Sequence, residues 1–435
     1  MLSYHNLHLN NGLRVITVEQ PHLHSASISL YVRSGSRYET AAEWGLSHLV
    51  EHMLFRGSQK FPDGRLLAEA FERAGGTLEA STWRDHTSIA TPLHPSCLGP
   101  VLTALADMVL HPLFLDLDIE RRVVAEELQG DLDENGEDVC PHNLSRASIW
   151  HQHAMGRRVG GSLATLESFS SDDVTRHHAK HYVGQNMVLC VAGRVKHQDV
   201  ARLASDLFGA LPQGQRIEDG GPALFAPQSR LVTRELRGAQ LAVQLTFESL
   251  PYGHPDFTAL ELLTRVLDNG MSSRLHQAVC ERQGLVYELS TGLDCYTDCG
   301  LYDVALKAAP RHAASAVETV LQTLRELCER GISDEELEQV RRQSLHELEF
   351  RVDSSVDLSD QYGCGALFGH TDTLESEAAH LQHVSNADVI RVARTMFSNG
   401  QPHATLVGPV QRANMAKLEN ACAAYNFADN AFSAA

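Results

Sequence analysis

The sequence predicts an α+β protein made of two tandem, homologous repeats. The 435 residues exceed the size of one ordinary hydrophobic core. Alternating apolar residues at 13–18 and 25–32 predict strands, whereas helical periodicity at 100–110 and 314–330 predicts long helices. Part of the sequence also recurs at a constant offset. Together these three observations indicate that one α+β plan is used twice.

The recurrence can be counted without a gap. Ser170-Ser171-Asp172-Asp173-Val174 precedes a helical stretch and the apolar segment 187–195. At an offset of 215 the chain carries Ser385-Asn386-Ala387-Asp388-Val389 and then the segment 402–410. Each copy therefore predicts a capped helix that is followed by a buried strand.

Turn-forming residues are dense between the two copies, over 211–222. Such a composition is typical of a linker. We therefore expect an N-terminal domain over 1–215, a linker over 216–230 and a homologous C-terminal domain over 231–435.

The composition is that of a soluble globular protein, with 43% apolar and 21% charged residues. A formal net charge of −19 disfavours nucleic acid and anionic membranes as partners, whereas it would attract a cationic peptide. The first residues include no basic segment followed by an apolar run, so we expect a cytoplasmic protein without a signal sequence. The nine cysteines form no CxxC pair, which is typical of reduced thiols.

The stretch His48-Leu49-Val50-Glu51-His52 can build a metal site. In an α-helix, positions i and i+4 project from the same face about 6 Å apart along the axis, so one zinc ion can bind both imidazoles. Glu51 lies next to that face and can act on a water molecule without being a ligand. The order H-x-x-E-H is the inverzincin signature.

This motif must be weighed against chance, because the chain contains 24 His and 55 Asp plus Glu. Such a composition produces a match somewhere in the chain with a probability of roughly one in ten. The flanking sequence 44–55 favours a real site. Its apolar residues recur at helical spacing on the side that carries both histidines, which places those histidines near the core.

The second repeat serves as an internal control for the motif. Aligning the halves at an offset of 213 replaces the triplet by Glu261, Thr264 and Arg265, which cannot bind a metal in this way. Confinement of the motif to one half favours a functional role over a role in the fold.

A catalytic zinc ion usually has three protein ligands and one position for water, so a third ligand is needed. The best candidates lie in 118–128, where Glu120 and Glu127 are seven residues apart and share one face of a predicted helix. For either glutamate alone, a solvated helix surface is the commoner explanation, by roughly two to one.

Here the sequence resembles the inverzincin peptidases of the pitrilysin, insulin-degrading enzyme and mitochondrial processing peptidase group, the M16 family. The resemblance rests on His48-x-x-Glu51-His52 together with Glu120-Arg121-x-Val123-Val124-x-x-Glu127, at a spacing typical of that group. It implies that His48, His52 and Glu127 bind Zn²⁺ and that Glu51 is the catalytic base. Glu120 would then orient a ligand or the water from outside the ligand set.

The same resemblance covers nearly the whole chain. It implies two α/β-sandwich repeats of the LuxS/processing-peptidase-like metallohydrolase type, as in the short bacterial class, in which two such subunits enclose a chamber. The segment 75–87 resembles the edge strand on which family members bind a substrate backbone to backbone, so Glu79 and Thr82 are candidate substrate contacts. Glu79 departs from the family, which often has Asn there. An ordinary glycine-turned strand is the alternative interpretation.

Family members usually carry, in the half without the metal, an Arg and a Tyr seven residues apart that bind the substrate carbonyl. Tyr287 matches the Tyr, but Cys280 occupies the position of the Arg. Either Arg282 or Arg274 takes over this role, or a partner chain supplies the missing group. Some bacterial members are pairs of unlike subunits. The resemblance therefore implies a homodimer, or a heterodimer in which this chain is the metal-bearing subunit and a similar chain carries the Arg/Tyr pair.

These observations lead to the hypothesis of a zinc endopeptidase that acts on small or unfolded peptides. Two alternatives stay open. The chain could be a noncatalytic partner subunit of the same fold, or it could hold a structural zinc ion, which would require a fourth protein ligand such as His86.

Overall fold

The computed structural model describes residues 2–151, 153–221, 223–370, 372–398 and 401–425. Within these ranges the strands, in chain order, are β1 (Ser3–His8), β2 (Arg14–Glu19), β3 (Ala26–Val32), β4 (Glu79–Thr82), β5 (Thr87–Leu93), β6 (Met187–Gly193), β7 (Leu231–Glu235), β8 (Leu241–Ser249), β9 (Val286–Cys295), β10 (Gly300–Ala308) and β11 (His403–Gly408).

The α-helices are α1 (Leu46–Leu54), α2 (Gly64–Glu72), α3 (Leu98–Leu110), α4 (Leu117–Gln129), α5 (Pro141–Ile149), α6 (Leu163–Ser168), α7 (Ser171–His181), α8 (His197–Phe208), α9 (Phe257–Leu267), α10 (Pro310–Arg330), α11 (Asp334–Val352), α12 (Ser355–Phe368), α13 (Leu374–His383), α14 (Asn386–Phe397) and α15 (Met415–Ala423). A π-helical segment, His276–Glu281, precedes β9.

The chain divides into two compact units, and neither is continuous in sequence. The first comprises Met1–Gly130, Arg157–Gly221 and Leu348–Asp372. The second comprises Asp131–Gly156, Pro222–Glu347 and Thr373–Ala435. Each unit is built around one mixed β-sheet with helices packed on it, so the predicted α+β class is confirmed.

The sheet of the first unit has the strand order β1-β2-β6-β3-β5-β4. Residues alternate between its two faces, as the two-residue period of a strand requires. On β3, Ile28 and Leu30 point into the main hydrophobic core of this unit. The alternate residues Ser29 and Tyr31 face α12: Ser29 Oγ lies 2.8 Å from the Oγ of Ser359, and the Tyr31 hydroxyl donates to Asp360 at 2.7 Å. A helix from late in the chain therefore covers one face of this sheet.

The sheet of the second unit has the order β7-β11-β8-β10-β9, which repeats the order β2-β6-β3-β5-β4 of the first. β6 is parallel to β2 and antiparallel to β3, and β11 relates to β7 and β8 in the same way. The tandem repeat expected from the sequence is thus confirmed in the topology.

The repeated segment also preserves local detail. The N-caps of α7 and α14 are Ser170 and Ser385, and each serine forms a capping box with an aspartate three residues on. The two strands that follow end in Gly193 and Gly408, both with positive φ, 110° and 138°. These residues recur at the offset of 215 counted from the sequence.

The proposed domains over 1–215 and 231–435 are continuous in sequence. Each compact unit, by contrast, also includes a segment from the other half of the chain. α12 belongs to the first unit, and α5, with the rest of Asp131–Gly156, belongs to the second. In the second unit, the fully buried Arg146 of α5 pairs with Asp294 of β9 at 2.7 Å and with Asp303 of β10. Neither placement has a signal in the hydrophobic periodicity, because an amphipathic helix does not encode which sheet it covers.

Two further expectations can be compared with the structure. The nine cysteines, all within the described residues, form no disulfide with one another. A search of the described helices finds no segment with the length and hydropathy of a transmembrane span.

Candidate metal centre

The candidate metal centre lies in the first unit, on helix α1. Leu49, Val50 and Met53 of this helix are fully buried in the core, which fixes its orientation. His48 and His52, which were expected on the same apolar side, are less deeply buried than these residues and keep 20% and 16% of their side-chain surface exposed. The helix therefore presents both imidazoles at the edge of the core, where they are held by packing and are still accessible.

The carboxylate of Glu127 on α4 meets both imidazoles. Its Oε2 lies 3.7 Å from Nε2 of His48 and 3.5 Å from Nε2 of His52. Tetrahedral zinc with ligand bonds of about 2.0–2.2 Å places its donor atoms roughly 3.4 Å apart. Two nitrogen donors and one carboxylate oxygen at these separations fit a zinc ion. Within the described residues, no fourth His, Cys, Asp or Glu joins this group of three.

Glu120 lies about two turns before Glu127 on α4, and its carboxylate contacts His52. Its Oε2 lies 3.0 Å from Nδ1 of His52. Because an ionised carboxylate only accepts hydrogen bonds, Nδ1 carries the proton and leaves the Nε2 lone pair free toward Glu127. The other oxygen of Glu120 accepts from Nε of Arg56. The contacts of Arg56 and Glu120 therefore fix the ring orientation and the tautomer of His52, as is usual for metal-binding histidines.

His48 has a different environment. Burial, with a smaller contribution from the neighbouring His52, lowers the pKa of His48 to about 4. The imidazole is therefore neutral at physiological pH and can donate a lone pair. Gly160 lies against the ring: a Cβ at that position would come within 3.6 Å of Nδ1 of His48 and 2.9 Å of the Leu128 side chain. A larger residue at Gly160 would crowd His48.

Glu51 lies on α1 between the two histidines and is only 8% exposed. The hydroxyl of Thr82 donates to its Oε2 at 2.6 Å. Burial raises the pKa of the Glu51 carboxyl, while the hydrogen bond from Thr82 opposes that rise. A carboxylate so held and so close to the histidines is suited to accept a proton.

The candidate substrate contacts of the first unit lie on β4. Among the strands that the structure describes, this one pairs only with β5 and forms one edge of its sheet. Glu79 is exposed at its first position, whereas Thr82 at its last position turns its hydroxyl to Glu51. The two residues therefore have different surroundings, with Glu79 in solvent and Thr82 at the candidate base.

The second unit holds the remaining candidates. Tyr287 is 88% exposed on β9, an edge strand of the second sheet. Cys280 lies in the π-helical segment and Arg282 directly after it, exposed. Arg274 is bound to both carboxylate oxygens of Glu336, at 2.7 and 2.8 Å, so Arg282 is the more available of the two candidate arginines.

The helix equivalent to α1 in the second unit is α9, and it carries no metal-binding triplet. Arg265, which stands at the His52 position, pairs with Glu347 at 2.6 Å. The guanidinium of Arg265 neutralises the Glu347 carboxylate. This position of the second unit therefore holds an ion pair where the first unit has candidate metal donors.

A second group of possible metal donors lies in the second unit and consists of His142, Asp294 and Asp303. The guanidinium of Arg146 already lies between the two carboxylates, 3.0 Å from Asp303 Oδ1 and 2.7 Å from Asp294 Oδ2. Gln244 and Thr246 also donate to Asp303. Since Arg146 supplies the positive charge, this group is an ion-pair network that anchors α5.

Comparison with known proteins decides the family. Residues 14–161 match the model for insulinase (peptidase family M16), and residues 168–344 match the model for the M16 inactive domain. An uncharacterized zinc protease of Mycobacterium leprae is 30% identical over 340 residues, which cover 75% of this chain and 74% of the relative. The chain belongs to the M16 peptidase family.

Other M16 relatives match along nearly their whole length. An uncharacterized zinc protease of Rickettsia bellii is 28% identical over 405 residues, covering 92% of this chain and 96% of the relative. The uncharacterized zinc protease YmxG of Bacillus subtilis is 28% identical over 391 residues, covering 89% and 94%. The M16 chain described here is therefore of the short, two-repeat type.

Solved structures support the same fold. A protease from Helicobacter pylori superimposes with a TM-score of 0.86 at 20% identity, covering 94% of this chain and all of the other. A structure from Pseudomonas fluorescens described as a peptidase M16 inactive domain gives a TM-score of 0.85 at 20% identity, covering 94% and 98%. The M16 fold with two repeats is thus established for this chain.

Two polar contacts at the site, made by Arg56 and Glu39, were not predicted from the sequence. Arg56 lies one turn after His52, a spacing that could have suggested a shared carboxylate partner on another helix. Glu39, whose carboxylate binds the start of α1, has no such signal, because a loop separates it from the helix.

Proposed function

We propose that this chain is a zinc-dependent endopeptidase that hydrolyses peptide bonds in small or unfolded peptides. The observation that carries the proposal is the convergence of His48 Nε2, His52 Nε2 and Glu127 Oε2 beside the buried carboxylate of Glu51. The names of the M16 relatives as zinc proteases support the metal and the general activity.

A zinc ion, when bound, lowers the pKa of a water molecule and polarises the carbonyl of the scissile bond. Glu51 accepts the proton that the attacking water loses, and it then delivers that proton to the leaving amine. Hydrogen bonds from the hydroxyl and the backbone of Thr82 hold the Glu51 carboxylate in place for this role. Glu120 and Arg56 hold His52 in the required tautomer throughout.

The substrate class follows from strand β4. An edge strand offers unpaired backbone groups to another extended chain, which can add to the sheet by backbone hydrogen bonds. Thr82 at the end of β4 lies on Glu51, so a peptide added along this edge would pass the candidate base. Only a short or unfolded peptide can adopt this extended form. The net charge of −19 favours peptides with basic residues.

A second candidate function depends on whether one chain or a pair of chains forms the complete active site. Cys280 stands where the family usually has the Arg that binds the substrate carbonyl. This observation favours a heterodimer in which this chain supplies the metal and a similar chain supplies an Arg/Tyr pair. A homodimer that uses Arg282, and a structural-zinc or noncatalytic subunit, are the competing assignments. A group of only three donors among the described residues argues for an open, catalytic coordination.

One experiment separates these assignments. The purified chain is analysed for zinc by atomic emission and assayed with a quenched fluorescent basic peptide, first alone and then mixed with a candidate partner. Zinc with activity alone supports the self-sufficient enzyme, and activity only in the mixture supports the heterodimer. Zinc without activity in either case, or no zinc at all, would overturn the proposed endopeptidase.

A further inference from the structure

We propose that Glu39 is a positioning residue of the metal centre, because its carboxylate serves as a remote N-cap for helix α1 and holds the first turn that carries His48. The inference rests on the proposed function, since it assigns Glu39 a role in metal binding. Glu39 does not touch the candidate ligands and acts through the backbone of the helix.

Helix α1 cannot cap itself. Its N-cap is Gly45, which has no side chain to accept a hydrogen bond from the first free N–H groups. A capping Ser or Asp is excluded at this position for two reasons. The backbone has a φ of +95°, which favours glycine, and an added Cβ would lie 2.7 Å from the Gly160 oxygen and from Cα of Gly161.

Glu39 supplies the missing acceptors from the preceding loop. Its Oε2 accepts from the Gly45 N–H at 2.8 Å, and its Oε1 accepts from the Ser47 N–H at 2.7 Å. Both oxygens are therefore used, and the residue is only 4% exposed. A carboxylate at a helix N-terminus also interacts favourably with the helix dipole. The neighbouring Glu43 does not share this task, because its side chain binds the backbone N–H of Thr40.

The loop that carries Glu39 is itself fixed. Arg157 donates to the Glu39 carbonyl at 2.9 Å, and Arg37 donates to the Asp219 carbonyl at 2.9 Å. Because these hydrogen bonds fix the loop, the Glu39 carboxylate has a fixed position and can hold the helix in place.

The consequence for the metal centre follows from the position of His48. It comes directly after Ser47, so it lies in the first turn, which is where an uncapped helix frays. Fraying would move Nε2 of His48 away from Glu127, 3.7 Å distant, while His52 in the next turn would stay in place. Loss of the cap should thus weaken metal binding more than it weakens the fold.

The test compares Glu39→Ala and Glu39→Gln with Asp63→Ala. Asp63 caps α2 through the Leu66 N–H at 2.8 Å, so its removal costs a helix cap away from the ligands. Zinc affinity is measured by competition with a chromophoric chelator. Hydrogen exchange of the segment 45–54 is measured by mass spectrometry on the zinc-free protein.

We expect Glu39→Ala to lower zinc affinity by roughly 10- to 100-fold, the usual range for residues that support a metal ligand. Its zinc-free form should also exchange the amides of 45–49 faster than the parent. Glu39→Gln, which keeps the size and one acceptor, should show a smaller loss, and it carries the comparison if the Ala variant does not fold. Asp63→Ala should change neither zinc affinity nor exchange at α1.

Parental zinc affinity and parental exchange in both Glu39 variants would overturn the inference and leave the proposed peptidase intact. Equal loss of zinc affinity in Asp63→Ala would also overturn it, because the effect would then be general destabilisation. A parent protein that binds no zinc would instead overturn the proposed function itself.

Discussion

The hydroxyl of Thr82 donates a 2.6 Å hydrogen bond to Glu51, and this contact joins the edge strand β4 to the helix of the candidate ligands. The strand expected to bind the substrate backbone is thus also the element that orients the candidate base. The proposed function would therefore couple substrate register to proton transfer through a single side chain, because a shift of β4 would move both.

Thr82→Val should lower kcat by roughly 10-fold with a smaller change in KM. Valine keeps the shape and strand propensity of threonine but removes the donor, and a hydrogen bond to a charged group contributes about 1.5–3 kcal/mol. Steady-state kinetics with a fluorescent peptide give both constants. Thr82→Ser keeps the hydroxyl and should restore most of kcat, while Ser81→Ala at the exposed neighbouring position should behave as the parent. A serine variant as slow as the valine variant would contradict the role of the hydroxyl.

Glu51→Gln should keep zinc bound while activity falls by about 10²–10⁴-fold, the range for a positioned general base. Glutamine fills the same space but cannot accept the proton. Zinc content and turnover are measured on the same preparation. Glu126→Gln is the matched control, because Glu126 is an exposed glutamate directly beside the candidate ligand Glu127. Parental turnover in Glu51→Gln would show that another group is the base.

Stability should fall as the pH drops below about 6.5. Burial lowers the pKa of His178 and His181 to about 4 and that of His177 well below 6.5. The unfolded chain therefore binds protons that the folded chain does not. The contribution of each histidine is fully present above pH 6.5 and is lost at about 1.4 kcal/mol per pH unit as the pH falls toward 4.

Urea unfolding between pH 7 and 4.5 measures this slope. His178→Gln should reduce it by one proton, since glutamine can still donate to the Val109 carbonyl, which the His178 ring contacts at 3.0 Å. Ala179→Gln, at an exposed position of the same helix, changes no titratable group and is the control, which should leave the slope as in the parent. A slope that His178→Gln leaves unchanged would mean that this histidine is not the source.

Cys280→Arg should raise the activity of the chain assayed alone by about 10-fold or more. The substitution places an Arg seven residues before Tyr287, the spacing that family members use to bind the substrate carbonyl. Because Cys280 is partly exposed, the longer side chain does not have to enter a core. Initial rates of the parent, Cys280→Arg and Arg282→Ala are compared at equal zinc content.

Two outcomes of that comparison are informative. A large loss in Arg282→Ala, with no gain in Cys280→Arg, would identify Arg282 as the substitute. No change in either variant, together with activity that appears only on mixing, would assign the missing group to a partner subunit.

Local sequence patterns were sufficient to predict the repeat and to nominate the candidate metal donors. The helical spacing of His48 and His52 places both rings on one face, and a constant offset of 215 identifies two capped helices with their strands. These are short-range properties, set by the period of the helix and by capping chemistry.

Contacts between residues that are far apart in the sequence could not be predicted from such local patterns. Nothing near Glu39 indicates that its carboxylate reaches the start of α1, because the loop geometry between them depends on Arg157, more than one hundred residues later. Thr82 was expected to face a peptide, and only the pairing of β4 with β5 reveals that it faces Glu51. The placement of α12 on the first sheet likewise depends on tertiary packing.

The late helix α12 has a consequence for biosynthesis. Ser29 and Tyr31 bury their polar groups against Ser359 and Asp360, so this face of the first sheet remains exposed until those residues are available. During translation, the first unit cannot close until residue 368 has left the ribosome. A fragment cut at the linker would retain every candidate zinc ligand and still present an uncovered sheet, a surface prone to aggregation.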